Sequence, residues 1–224
     1  MRWLTNQRYG MKSVLTGPSD WKFDETIAPV FVEHARKHIP NYESVTDKCA
    51  RYCELNLNKD AKIIDVGCAT GHTIQKLYAR GFTNLHGVDN SKKMIDLAPS
   101  DIATYTVSDR FPKGQYDMIL CNWTLHFIKD KERYLQDMHD SLSDKGTIII
   151  SEKTSLESGM IEMYHDRKMN LGVSKEKIKE KQKQIENVMF IKSIEWYQQT
   201  LRSMGFEVNI IDADWCFTTF MCKK

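Results

Sequence analysis

A turn with two glycines, placed between an apolar segment and a helical pattern, constrains the fold of this chain most. Residues 61–66 form a short apolar run typical of a buried strand, and residues 72–80 have the spacing of a helix. Between them, Gly67 permits a tight turn and Gly71 allows the helix to begin close to the sheet. The small side chain of Ala69 leaves room for a ligand against the backbone. The segment therefore predicts a strand, loop and helix that bind a cofactor.

Strand-like and helix-like patterns alternate from this turn to residue 151, which indicates a parallel sheet with helices on both faces. Helical stretches at 156–190, a further helix and two final strands follow. We predict an α/β fold with a doubly wound, mostly parallel, seven-stranded Rossmann-like sheet whose last strand is antiparallel. Residues 1–224 are expected to form a single domain. Within it, residues 1–57 form an N-terminal arm and helical lid, and residues 156–190 form a helical insertion.

Composition and charge exclude several classes of protein. The 32 Lys and Arg residues nearly balance the 30 Asp and Glu residues, which argues against a nucleic-acid partner. No apolar stretch is long enough for a membrane span, and the start of the chain lacks the apolar region of a signal peptide. The six cysteines have no metal-ligand spacing, so we expect reduced thiols, a cytoplasmic protein and no metal. The charged run Lys175–Lys181 is predicted to be a solvated helix face.

Three known cofactor loops have a glycine turn in this position. A dinucleotide fingerprint needs glycine where the chain has Ala69 and His72, and a P-loop needs Lys followed by Ser or Thr where it has His72 and Thr73. The sequence from Asp65 to Gly71, an acid followed by G-x-[GA]-x-G, instead resembles motif I of the S-adenosylmethionine-dependent methyltransferases. A sulfonium cofactor tolerates a carboxylate at Asp65, whereas a pyrophosphate favours bare amides and a helix N-terminus.

Further polar residues stand where the following strands end. Asp89 comes 18 residues after Gly71, near the spacing of about 20 expected for a carboxylate that binds ribose hydroxyls. Asn90 adds an amide beside it, and Met94 is placed to pack against adenine. Asp109 ends the third strand, where the adenine amino group needs an acceptor. We therefore predict that the cofactor is S-adenosyl-L-methionine.

A second pattern extends over most of the chain. Its segments are Tyr42, Asp89–Ser91, Asn122–Phe127, Ser151–Lys153, Tyr164–Asp166 and 185–189. From about Trp21 to the C-terminus, the chain resembles the carboxy-S-adenosylmethionine synthases, which make the carboxymethyl donor for oxyacetyl-uridine at the tRNA wobble position. The resemblance implies a homodimer in which the helices after the fifth strand help to build the site. The cofactor contacts that it implies are Tyr42, Gly67, Cys68, Ala69, Asp89, Asn90, Asp109, Arg110 and Asn122.

The chain departs from that family at one position. The family has an arginine three residues before the apolar position of its L-E-N-V-M segment, where it pairs with the extra carboxylate of the cofactor; this chain has Gln182. A neutral amide cannot replace the charge-assisted, bidentate grip of a guanidinium, although Lys181 or Lys183 could supply a charge if the helix rotates. We therefore predict a relative that uses plain S-adenosylmethionine, a methyltransferase acting on a small-molecule acceptor.

Methyl transfer requires alignment of donor and acceptor more than acid or base catalysis, so the sequence indicates no catalytic residue. The residues expected to contact the substrate are Asn122, Tyr164, His165 and Gln182. One alternative is a synthase that modifies or consumes the cofactor, by carboxy-S-adenosylmethionine chemistry or an intramolecular reaction. A second is a non-catalytic cofactor-binding or RNA-associated subunit with a basic face formed by Lys175, Lys179 and Lys183.

Overall fold

The structure, a computed structural model, describes residues 28–186 and 188–224; the predicted arm before Ala28 lies outside this part. The strands are β1 (Ile63–Val66), β2 (Leu85–Asp89), β3 (Thr104–Val107), β4 (Tyr116–Asn122), β5 (Leu142–Lys153), β6 (Glu207–Asp214) and β7 (Phe217–Lys223). The helices are α1 (Phe31–His38), α2 (Tyr42–Asn56), α3 (His72–Tyr78), α4 (Lys92–Asp96), α5 (Lys131–Asp140), α6 (Ser158–Asn170), α7 (Lys175–Glu186) and α8 (Ile194–Ser203).

The seven strands form one sheet in the order β3-β2-β1-β4-β5-β7-β6. The pairs from β3 to β5 are parallel, and β7 runs antiparallel to both of its neighbours. This confirms the predicted α/β, doubly wound, Rossmann-like sheet with an antiparallel last strand. Helices cover both faces of the central strands, which is why β1 and β4 are almost continuously apolar.

Alternate residues of the central strands contribute to two apolar clusters. Ile64 of β1 packs in the cluster that includes residues of α5 and α8. Ile63 packs in the opposite cluster with α2 and α3, where Cys49 and Cys53 are fully buried on one helix face. Because successive side chains of a strand point to opposite faces, the short run of β1 supplies both clusters.

The strand order reverses direction at β1, since β2 lies on one side of it and β4 on the other. At such a switch point the loops after neighbouring strands diverge and leave a crevice beside the carboxyl ends of the strands. The turn of Gly67 to Gly71 and the ends of β2 and β4 meet there. The fold therefore places the motif residues at the edge where α/β proteins bind ligands.

The helical insertion corresponds to α6 and α7, which pack against each other. The predicted solvated face of α7 is correct for most of its charged residues but wrong for Lys181, which is half-buried. Ile178, within the same run, is buried. The chain then returns to the sheet, where the Phe190 backbone N–H donates to the His126 carbonyl at 2.7 Å. In residues 28–186 and 188–224, no helix has the length and apolar character needed to cross a membrane.

Candidate functional site

A cavity of about 1090 Å³ opens at the carboxyl ends of the strands and is bordered by α1, α6 and α7. This volume is at the upper end of the roughly 300–1,000 Å³ typical of ligand pockets, enough for a cofactor and a second small molecule. Twelve of the predicted site residues line it: Tyr42, Asp65, Gly67, Cys68, Ala69, Asp89, Asn90, Met94, Asn122, Tyr164, His165 and Gln182.

Three of the predicted residues do not line the cavity. Gly71 is the last residue of the turn, directly before α3. An added Cβ there would come within 2.8 Å of the Tyr105 hydroxyl, so the glycine allows α3 to begin close to the sheet. Asp109 and Arg110 are exposed, in a turn after β3 that is held by the Ser108 hydroxyl. Their predicted cofactor contacts stay predictions.

The turn after β1 holds its backbone in conformations that few residues adopt. Gly67, Ala69 and Gly71 all have positive φ, at 70°, 46° and 77°. A Cβ on Gly67 would overlap the Thr124 hydroxyl, which donates to the Val66 carbonyl at 3.0 Å. The absence of a side chain at Gly67 therefore lets the loop after β4 approach the loop after β1.

The Asp89 carboxylate is fixed by two backbone groups. One oxygen accepts from the Ala69 N–H at 3.0 Å, and the other accepts from the Ser91 N–H at 2.8 Å. Burial raises the pKa of Asp89, while these N–H donors act in the opposite direction. Each oxygen has a second lone pair, so the carboxylate can still accept two hydroxyl donors side by side.

Asp65 has a different environment. It is only 4% exposed, and among the described residues its carboxylate accepts no hydrogen bond. Burial, with the nearby charge of Asp89, raises the pKa of Asp65 to about 8. A buried carboxylate without a partner is costly, and here it lines a cavity. The site therefore fits a ligand that brings a positive charge to Asp65, as the sulfonium and ammonium groups of S-adenosylmethionine would.

A chain of hydrogen bonds orients Asn122 at the end of β4. The Thr219 hydroxyl donates to Ser151 Oγ at 3.0 Å, and the Ser151 hydroxyl donates to Asn122 Oδ1 at 2.7 Å. The Asn122 amide group lies 3.8 Å from Cys49 Sγ, a weak acceptor. Ser151, named earlier only as part of the second pattern, and Thr219 were not among the predicted site residues, because their role depends on strand pairing between β5 and β7.

Glu152, which was also not among the predicted site residues, holds the loop after β4. It is fully buried, and its two oxygens accept from the backbone N–H groups of Thr124, Leu125 and His126 at 3.0, 2.7 and 2.8 Å. His126 Nδ1 lies 2.8 Å from the same carboxylate. The three convergent N–H groups satisfy the buried Glu152 carboxylate and fix the backbone beside Asn122.

Aromatic side chains border the cavity. Tyr42 stacks on His72 with ring centroids 5.7 Å apart and contacts Trp123 at 4.9 Å. The Tyr164 hydroxyl, predicted to contact substrate, donates to the His38 carbonyl at 3.1 Å and so ties α6 to α1. His165 is half-buried, Gln182 is exposed, and both line the cavity.

Comparison with known proteins identifies the family. The sequence profile of a methyltransferase domain matches residues 33–208. The carboxy-S-adenosyl-L-methionine synthase of Campylobacter hominis is 29% identical over 222 residues, covering 91% of this chain and 94% of that protein. The synthase of the same name from Salmonella arizonae is 28% identical over 208 residues, with 84% of each chain covered.

Solved structures show the same fold. Magnesium protoporphyrin IX methyltransferase of Synechocystis, with bound SAH, superposes with a TM-score of 0.65 at 14% identity and covers 90% of this chain and 96% of that one. The plantazolicin methyltransferase BpumL, in complex with a pentazolic desmethylPZN analogue and SAH, has a TM-score of 0.66 at 16% identity and covers 90% of this chain and 92% of that one. The chain therefore belongs to the methyltransferase domain family, whose cofactor is S-adenosyl-L-methionine, and is an enzyme of the transferase class.

Proposed function

We propose that this protein binds S-adenosyl-L-methionine in the cavity beside β1 and β2 and transfers its methyl group to a small-molecule acceptor. The observation that carries the proposal is Asp65, a buried carboxylate that lines the cavity and accepts no hydrogen bond from the described residues. A cationic cofactor would supply the missing partner. The Gly67 turn would let the cofactor lie against the backbone, and Asp89 would bind the ribose hydroxyls.

The chemistry depends mainly on alignment. The cofactor supplies an activated methyl group on a sulfonium, so the acceptor has to be held about 3–3.5 Å from it and in line. Asn122 is positioned to orient cofactor or acceptor, because Ser151 fixes its amide. Tyr42 and Trp123 would exclude water from the same region. No general base is assigned, since one is needed only for a hydroxyl, thiol or protonated amine acceptor.

Calorimetric titration with S-adenosyl-L-methionine, whose sulfonium and ammonium groups are positively charged, tests the proposal directly. We expect saturable binding by the intact protein and a loss of at least about 10-fold in affinity for Asp65→Ala. Asp96→Asn is a matched control, because Asp96 is exposed on α4 and, within the described part of the chain, pairs only with Lys92. Absence of heat with the wild-type protein would refute cofactor binding. Equal affinity of Asp65→Ala and wild type would refute the role of Asp65.

A second candidate is carboxy-S-adenosylmethionine synthesis. It is favoured by the relatives of that name, one of which is covered over 94% of its length. It is disfavoured by Gln182, which lines the cavity where the resemblance places an arginine. Incubation with S-adenosylmethionine, with and without prephenate, followed by mass measurement, separates the candidates. Carboxylated cofactor would support synthesis, SAH with a methylated acceptor would support methyl transfer, and methylthioadenosine without an acceptor would indicate an intramolecular reaction.

The oligomeric state and location are further parts of the proposal. We propose a single domain that assembles as a homodimer through α6 and the residue that follows it, since Met160 and Met163 on the helix and Leu171 after it expose 38%, 53% and 59% of their surfaces. Light scattering of the wild type and of Met163→Lys would test this proposal, and a monomeric wild type would contradict it.

We also propose a cytoplasmic location, which is supported by the six cysteines, since all of them are buried thiols.

A further inference from the structure

A buried histidine and a buried glutamate form a pair beside the cavity. His126 is only 4% exposed and lines the cavity, and Glu152, near the end of β5, is fully buried. His126 follows Thr124 by two residues, and the Thr124 hydroxyl occupies the space where a Cβ on Gly67 would lie. His126 therefore belongs to the loop that approaches the turn assigned to the cofactor.

Glu152 fixes which ring nitrogen of His126 carries a hydrogen. The carboxylate accepts three backbone N–H groups, and its Oε2 also lies 2.8 Å from His126 Nδ1. An ionised carboxylate can only accept hydrogen bonds, so Nδ1 is the donor and Nε2 of the neutral ring keeps its lone pair. No group in the described part of the chain is hydrogen-bonded to Nε2. The ring is therefore oriented with its basic nitrogen available to a ligand.

The charge of Glu152 is also available to a protonated His126. Within residues 28–186 and 188–224, no lysine or arginine lies within salt-bridge distance of the Glu152 carboxylate, and His126 is its one ion-pair partner. In a buried site of low dielectric constant, a carboxylate stabilises an adjacent imidazolium strongly. The pair can therefore accept a proton at Nε2 and hold the resulting positive charge.

Four other histidines line the cavity: His34, His38, His72 and His165. Burial lowers the pKa of His34 to about 4 and that of His38 to about 3, which makes both of them weak bases at neutral pH. Burial also lowers the pKa of His165, and no carboxylate of the described residues is hydrogen-bonded to its ring. These three histidines are therefore less suited than His126 to remove a proton.

His72 has a carboxylate partner, but that carboxylate is shared. His72 Nε2 lies 3.0 Å from Glu43 Oε1, and Glu43 also forms ion pairs with Arg36 and Lys76. Two permanent cations already compensate the charge of Glu43, so it has less to offer an imidazolium. The pair of His126 and Glu152 is the better proton acceptor at the cavity.

We propose that His126 is a catalytic base whose Nε2 accepts a proton from the methyl acceptor, so that the acceptor group is a hydroxyl, a thiol or a protonated amine. This inference rests on the proposed function and adds the chemical class of the acceptor. The acceptor atom loses its proton to Nε2, and its lone pair forms the new bond to the methyl carbon. The bond from that carbon to the cofactor sulfur breaks, with its electrons left on the sulfur. The products are the methylated acceptor, SAH and an imidazolium that returns its proton to water.

The tautomer of His126 can be measured without any acceptor. Long-range 1H–15N spectra of the wild-type protein distinguish a protonated ring nitrogen from an unprotonated one, and His126→Asn identifies the signals of this ring. At about pH 8 we expect a hydrogen on Nδ1 and none on Nε2. A hydrogen on Nε2, in the other tautomer or in a charged ring, would overturn the proposal.

Methyl transfer to small probes tests proton removal itself. Phenol, benzyl mercaptan and benzylamine carry a proton on the acceptor atom at about pH 7.5, whereas the ring nitrogen of pyridine carries none. His126→Asn keeps an amide donor for Glu152 but lacks Nε2. At saturating S-adenosyl-L-methionine, this variant should form SAH at least about 100-fold more slowly with one or more of the three protic probes. Its rate with pyridine and its affinity for S-adenosyl-L-methionine should equal those of the wild type.

His139→Asn is the matched control. His139 on α5 also has Nδ1 close to a carboxylate, at 3.1 Å from Asp140, but it does not line the cavity. This variant should behave as the wild type with every probe. A loss of transfer to the protic probes in His72→Asn but not in His126→Asn would assign the base to the other pair and overturn the proposal.

The outcomes separate the two levels of inference. Failure of the wild type to bind S-adenosyl-L-methionine in calorimetry would refute the proposed function. Binding of the cofactor with equal SAH formation by wild type and His126→Asn for all three protic probes, including no formation by either, would refute only the role of His126. Thermal melts of His126→Asn and the wild type show whether the variant is folded, and the tautomer measurement on the wild type decides the question if it is not.

Discussion

The backbone N–H of Ala69 donates to one carboxylate oxygen of Asp89 at 3.0 Å, so the turn after β1 is tied to the end of β2. The second oxygen accepts from Ser91 N–H at 2.8 Å, at the start of α4. One side chain thus fixes two of the loops that border the cavity. This link gives Asp89 a structural role that exists before any ligand binds.

Asp89→Asn is expected to weaken SAH binding about 10- to 100-fold. An amide has one acceptor oxygen, so it cannot accept from both Ala69 and Ser91, and its NH2 group would face an N–H donor. Calorimetric titration measures the effect. Asp96→Asn should bind SAH as the wild type does, and equal affinity of all three proteins would contradict the role of Asp89.

The pH dependence of cofactor binding should report the protonation of Asp65. Without ligand, burial and the charge of Asp89 raise the pKa of Asp65 to about 8. A cationic ligand favours the ionised form and lowers that pKa, so affinity should rise from pH 6 to pH 8, by at most about 10-fold per pH unit. Asp65→Asn should show a flatter profile over the same range. A wild-type affinity that is independent of pH would contradict the assignment.

Asp65→Asn should also stabilise the ligand-free protein at pH 8. Because the folded pKa is raised above that of the unfolded chain, the folded state binds an extra proton between about pH 4 and pH 8. The stability of the wild type relative to the variant therefore falls as pH rises through this range and is constant above it. Thermal melts at pH 5 and pH 8 should show the difference growing, by about 2–4 °C for each kcal/mol. A difference that shrinks with rising pH would contradict this.

Much of the fold and of the cofactor loop could be predicted because these features depend on residues that are close together in the sequence. The alternation of apolar runs and helical patterns indicated the sheet, and Gly67 and Gly71 indicated a tight turn and a helix that begins close to the sheet; both glycines have positive φ in the structure. Asp89 was found because its distance from that turn follows from the length of one helix and one strand. Each inference needs only neighbouring residues.

The remaining features depend on packing between distant segments. Ser151 and Glu152 look like ordinary polar residues near a strand end, and their roles follow from the loop after β4. Lys181 was placed with a solvated face because charge runs usually face water. Lys181 lines the cavity instead, and no local sequence pattern indicates this position. Asp109 was placed at the end of the third strand, where the adenine amino group needs an acceptor; it is exposed beside the edge strand β3, and its cofactor contact stays a prediction.

Removal of the Glu152 carboxylate should destabilise the loop after β4. In Glu152→Gln, one oxygen is replaced by a donor that faces the N–H groups of Thr124, Leu125 or His126. Urea unfolding is expected to show a loss of about 1–3 kcal/mol, because a buried donor is left without an acceptor. Glu157→Gln is the control, since Glu157 is exposed just before α6. Equal stability of both variants would contradict the role of Glu152.

The approach of the loop after β4 to Gly67 can be tested by a double-mutant cycle. In Gly67→Ala, the added methyl would overlap the Thr124 hydroxyl and lie 2.9 Å from its Cγ2, and the positive φ of 70° adds strain of about 1–2 kcal/mol. Overpacking adds about 1–3 kcal/mol. Thr124→Ala removes the overlap but also removes the hydrogen bond to the Val66 carbonyl. The double variant should therefore be more stable than the sum of the single losses predicts, with the backbone strain remaining.

Gly159→Ala is the control: Gly159 lies on α6 with no atom within 4 Å of the added methyl, so this variant should be slightly more stable than the wild type. If the losses of stability in Gly67→Ala and Thr124→Ala simply add in the double variant, the loops after β1 and β4 do not approach each other as described.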